Sequence, residues 1–131
     1  MSTCAECGTE SFFNNLPPAR FGAGGIIINI MANICSNKFY CTTDVEKNYL
    51  RILYWLYENF SVDDLDGETG ADENWMAGAF FSKWAFPEKA FEELTKELSG
   101  DESLYIRVVS FEPGNLYLEG NVYRDGCWEQ F

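Results

Sequence analysis

The stretch from Ser103 to Arg124 constrains this chain most. It reads Ser-Leu-Tyr-Ile-Arg-Val-Val-Ser-Phe, then Glu-Pro-Gly-Asn, then Leu-Tyr-Leu-Glu-Gly-Asn-Val-Tyr-Arg. Two runs rich in β-branched and aromatic residues around a Pro-Gly turn predict a hairpin. Alternation places Leu104, Ile106 and Val108 on one face of the first strand and Leu116, Leu118 and Val122 on one face of the second. The opposite faces carry Tyr105, Arg107, Tyr117, Glu119 and Tyr123, a half-solvated pattern. After the hairpin, Asp125-Gly126 predicts a tight turn and Cys127–Phe131 a short edge strand.

The remainder of the chain supplies partners for that hairpin. With 131 residues it suits one domain with a real core. Thr43 to Phe60 predicts a helix: Thr43 caps, Glu46 stands at the third helical position, and Val45, Tyr49, Ile52, Leu53, Leu56 and Phe60 line one face. Pro87 to Leu98 predicts a second, with Ala90, Phe91, Leu94 and Leu98 as its buried stripe and Gly100 as its stop. Strands are expected at Lys38–Thr42 and Trp75–Phe86, the latter with a glycine kink at Gly78. Ile26–Ile30 is a further short β-type run. Residues 1–30, with Asn14-Asn15-Leu16-Pro17-Pro18 and Gly22-Ala23-Gly24-Gly25, read as an extended arm before a domain at 31–131.

Ser61 to Asn74 is dense in acid: Asp63, Asp64, Asp66, Glu68, Asp72 and Glu73. Aligned as a calcium loop around Gly67, it puts Val62 at the first ligand position and lacks a following helix. A solvated loop is therefore expected, and no metal site.

Net charge is −12, from 21 acidic and 9 basic residues. That field repels nucleic acid, and the cations form no basic patch, so no direct nucleic-acid binding is expected. A basic protein is the partner class it fits. The same acidity also serves plain colloidal solubility.

The chain has no histidine, which removes every Ser-His or Cys-His pair. Glu112 and Glu119, facing each other across the hairpin, are the one carboxylate pair open to acid–base work, which would require them to be buried together, whereas a strand-face glutamate is expected to be solvated. No enzyme and no cofactor are expected. Five cysteines without an export signal read as reduced thiols in a cytoplasm, and the longest apolar run cannot span a bilayer, so no membrane role is expected. Cys4-Ala5-Glu6-Cys7-Gly8 is half of a zinc knuckle, for which Cys35 and Cys41 are the available complement.

Several short motifs share a pattern. They are Met31-Ala32-Asn33-Ile34-Cys35-Ser36-Asn37, Ser82-Lys83-Trp84-Ala85-Phe86-Pro87, Phe91-Glu92-Glu93-Leu94, Phe111-Glu112-Pro113-Gly114, Glu119-Gly120 and Arg124-Asp125-Gly126. Over about residues 31 to 126 the chain thereby resembles the Api-like family of small plasmid- and phage-encoded proteins, with Ile34 where that family commonly has tryptophan. The resemblance implies a ferredoxin-like α/β two-layer sandwich of the α+β class. Two helices would cover one face of a mainly antiparallel sheet of four to five strands. It supplies no catalytic residues.

Joined to the charge, it implies a non-enzymatic acidic domain that binds a basic, nucleic-acid-handling host protein or nucleoprotein complex. A defence nuclease is one such target, inhibited in an anti-CRISPR-like manner by carboxylates standing in for phosphates. The expected contact residues are Asp63, Asp64, Asp66, Glu68, Asp72 and Glu73, followed by Glu88, Glu92, Glu93 and Glu97. A cysteine–zinc structural module and a small carboxylate enzyme are the alternatives.

Overall fold

A computed structural model describes residues 34–131. The arm at 1–30, the Ile26–Ile30 run and the Cys4–Cys7 knuckle lie outside the described residues. The elements run β1 (Ile34–Thr43), α1 (Glu46–Asn59), β2 (Ser61–Glu68), β3 (Asn74–Lys83), α2 (Glu88–Glu97), β4 (Tyr105–Glu112), β5 (Tyr117–Arg124) and β6 (Cys127–Gln130). One sheet holds all six strands in the order β2-β3-β1-β4-β5-β6, every pairing antiparallel.

This corrects the expected ferredoxin-like sandwich of four to five strands: among the described residues the sheet has six, and the class is α+β. The additional strand is β2, cut from the acidic stretch expected to be a loop. Val62, Leu65 and Gly67 turn toward the helices and the acids turn away. A strand with so few apolar residues, none of them fully buried, does not announce itself by hydrophobicity.

Both helices cover the same face. Tyr49, Ile52, Trp55 and Leu56 of α1 meet Phe91 and Leu94 of α2 over Phe39, Cys41, Met76, Phe80, Ile106 and Val108 of the sheet. Phe91, wholly buried, is the centre of this layer. Its ring lies 4.8 Å from Trp55, 5.2 Å from Phe86, 5.7 Å from Phe80 and 5.8 Å from Trp128. Trp128 carries β6 into the core, and its indole N–H donates to Thr95 Oγ1 at 2.9 Å, so its one polar atom is satisfied.

The hairpin forms, but its second strand has the opposite phase. Ile106 faces Tyr123, Val108 faces Asn121 and Glu112 faces Tyr117, so the inward residues of β5 are Tyr117, Glu119, Asn121 and Tyr123. Leu118 points to the opposite face, which among the described residues is helix-free, and is 70% exposed. Two aromatics favour this register: Tyr123 packs on Trp128 at 5.4 Å, and Tyr117 OH accepts from the Phe86 N–H at 3.3 Å. The turn winds as a short 3₁₀ segment at Pro113–Asn115 and closes through Leu116 at φ 55°. Asp125 and Gly126 both have positive φ, the two-residue turn that suits a twisted hairpin.

The expected capping box is also corrected. Thr43 ends β1, and the helix starts after Val45 without a side-chain cap. The Thr43 hydroxyl instead accepts from the Val45 N–H at 3.0 Å and donates to Asp101. Gly78 is no kink. A Cβ there would stand 2.7 Å from Leu65 Cα and 2.8 Å from Asp64 O, so glycine admits the β2 bulge between Asp63 and Asp66.

Candidate functional site

Among the described residues the fold brings together three groups of polar side chains that bear on function: an acidic edge, a buried network and a charged trough on the open face.

The edge belongs to β2, the terminal strand of the sheet among the described residues. Asp63 pairs with Ala79, Asp66 with Ala77 and Glu68 with Trp75, which aims these carboxylates at the helix-free face. Asp64 sits in the bulge at φ 52°. Asp72 and Glu73 follow in the turn to β3, and all six acids are exposed. Among the described residues none of the six is in an ion pair.

The helix acids do not join them. Glu92 and Glu93 sit on α2, in the other layer. Glu97 accepts from Arg51 through both oxygens at 2.7 and 3.0 Å, tying α2 to α1; the Arg51 hydrogen bond holds its carboxyl below the usual range. Glu88, also among the expected contact residues, is buried at 2% exposed. As the first residue of α2 it has the acidic position that a helix N-terminus favours.

The buried network occupies one end of the inner sheet face. Asn37 donates to Ser82 Oγ at 2.9 Å and to Phe80 O at 3.1 Å. Ser110 donates to Asn37 Oδ1 at 2.7 Å, and Ser82 donates to Ala85 O at 2.7 Å. Glu112, expected to be solvated, is fully buried and accepts from the N–H groups of Gly114 and Asn115 at 2.9 and 2.8 Å. Glu119 accepts from Tyr117 OH and from Gln130. Each carboxylate is therefore engaged by its own donors. Burial raises the Tyr117 hydroxyl, and its bond to Glu119 adds to that.

Cys35 lies in the same region, and burial pushes its thiol up to about 12, which keeps it protonated and unreactive. Cys41 is raised further, again by burial. Both point inward from one strand, six residues apart, which at about 3.3 Å per residue separates them by roughly 20 Å. They cannot share one zinc ion, whose sulfur ligands stand about 2.3 Å from the metal. The four-cysteine site assembled from Cys4, Cys7, Cys35 and Cys41 is thereby removed, and the described residues hold no other cluster of metal-ligating side chains.

The trough lies on the helix-free face. Lys38, Tyr40, Ala77, Gly78, Ala79, Arg107 and Val109 form it with Asp63 and Asp64, enclosing about 480 Å³. The Arg107 guanidinium stacks 5.3 Å above the Tyr40 ring. Sequence reasoning missed this group because its members come from four strands and become neighbours only through register.

Among the described residues no helix is long and apolar enough to cross a membrane. Comparison with known proteins returns no match: no family model, no curated protein and no solved structure matches the chain, and none identifies the Api-like family.

Proposed function

We propose that this is a non-enzymatic domain that binds a basic protein surface through the β2 edge. One observation carries the reading: Asp63, Asp64, Asp66, Glu68, Asp72 and Glu73 form an exposed acidic border with no ion-pair partner among the described residues. A free sheet edge needs some charge to discourage strand addition. A net charge of −12 is more than that task requires, and a field of that size speeds encounter with a cationic partner. A nucleic-acid-handling protein offers such a surface, and β2 carboxylates would occupy the positions of phosphates. That Glu112 and Glu119 each have donors of their own supports a binding role over acid–base chemistry.

The test is retention of proteins from a lysate on the immobilised chain across a salt series, using wild type, a D63N/D66N/E68Q variant and an E92Q/E93Q variant. A basic protein should bind wild type and E92Q/E93Q at low salt and release as salt rises. Undiminished binding to D63N/D66N/E68Q would remove the β2 edge from the interface, and retention of no basic protein by wild type would remove the function.

A further inference from the structure

We propose that the trough on the helix-free face binds a small zwitterion, with its anionic group at Lys38 and Arg107 and its cationic group at Asp63 and Asp64. Register supports this directly. Asp63, Ala79, Lys38 and Val109 form one cross-strand row, and Asp66, Ala77, Tyr40 and Arg107 form the next. Each row therefore runs from acid, across alanine, toward a cation. At about 4.8 Å between strands, Asp63 and Lys38 stand roughly 9–10 Å apart.

Nothing larger than a methyl group projects from Ala77 or Ala79, so the floor between the charged walls is open and apolar. Lys38 and Arg107 are exposed, and among the described residues neither is in an ion pair. They stand unpaired among these residues although acids outnumber bases in the chain by 21 to 9. Stacking on Tyr40 fixes the Arg107 guanidinium while leaving its N–H edge available to a carboxylate.

The overall field selects the ligand class. A simple anion must approach against a net charge of −12, and a simple cation leaves Lys38 and Arg107 opposing it. A molecule with both charges and no net charge escapes both penalties. Its two groups need a separation of roughly one to two strand spacings, about 5–10 Å. Linear ω-amino carboxylates meet that requirement, and a volume of about 480 Å³ admits one with bound water.

This proposal shares Asp63 and Asp64 with the protein-binding reading, but its test contains no protein partner, so either can fail without the other. The ¹⁵N-labelled full chain is titrated with ε-aminocaproate at constant ionic strength, with caproate, hexylamine and glycine as comparisons. Saturable shifts are expected at Lys38, Tyr40, Ala77, Gly78, Ala79 and Arg107. Affinity should fall roughly fivefold in R107Q, K38Q and D63N, and by at least as much for each single-charge probe and for glycine. These side chains are exposed, and unchanged spectra outside the trough establish that each variant is folded. Scattered or non-saturating shifts would overturn the proposal, as would equal binding of caproate, or affinity unchanged in both R107Q and K38Q.

Discussion

At Asp101 three chain segments share one carboxylate. Thr43 at the end of β1 donates to it, Asn48 of α1 donates at 2.9 Å, and Ser103 ahead of β4 donates through both its N–H and hydroxyl at 2.9 and 2.6 Å. Partial burial pushes the Asp101 carboxyl up, and these hydrogen bonds together outweigh it, holding the group below the usual range. A depressed carboxylate stabilises the fold above its unfolded value of about 3.9, and that contribution disappears as pH falls through the lower folded value. Replacing Asp101 with Asn should cost about 1–2 kcal/mol at neutral pH, a figure kept low because the site is only partly buried. Urea unfolding at about pH 7 and about pH 3 checks it: the gap between wild type and D101N should shrink in acid. A gap of constant size would mean that the charge is irrelevant. No sequence pattern marks this cluster. Thr43 and Glu46 imitate a helix cap so well that a local reading spends Thr43 on the helix, while its real partner lies 58 residues away. Gly78 shows the same limitation. Its meaning is a 2.7 Å approach from a neighbouring strand, and Gly78→Ala should destabilise by about 1–3 kcal/mol in thermal unfolding because Leu65 Cα is backbone and cannot swing aside.

Among the elements, the helices were legible and two strands were not, for one reason. Helical spacing in α1 and α2 coincides with burial because each lays a single stripe on the sheet. In β5 the inward positions carry Tyr117, Glu119, Asn121 and Tyr123, while Leu118 is outside. Reading apolar as inward therefore inverts the strand. In β2, acids at the outward positions conceal three inward residues. A test belongs to this scale: replacing Leu118 with Thr should change stability by no more than about 0.5 kcal/mol, whereas Val108→Ala should cost about 1–3 kcal/mol. Equal losses in chemical denaturation would restore the inverted phase. The acidic stretch was identified as a unit from composition, and its strand register, which sorts Asp63, Asp66 and Glu68 onto one face, was not.

At the scale of the molecule, the described residues place one layer of helices on the sheet and leave it with two unlike faces. The covered face is held around Phe91, and Phe91→Ala should cost about 3–5 kcal/mol and lower the thermal midpoint, since at least four aromatic rings lose a neighbour together. A near-wild-type midpoint would mean that the surrounding rings close the space. The open face carries the trough and the acidic border, neither of which the chain order suggests, because β2 and β4 are separated by β3, α2 and their connections. Charge alone suggested a class of partner; register adds only that Asp63, Asp66 and Glu68 share one face.

The two cysteines of β1 give the protein a clock of its own. Cys35 and Cys41 stand near opposite ends of a strand paired on both sides, and neither has measurable contact with solvent. Alkylation at either therefore requires the fold around β1 to open, and peptide-resolved labelling times that opening end by end. If the strand detaches as a unit, the two sites will take up reagent at one common rate; if an end frays, one will run ahead. Exposed Cys127, on the edge strand, supplies the unprotected rate against which both are read.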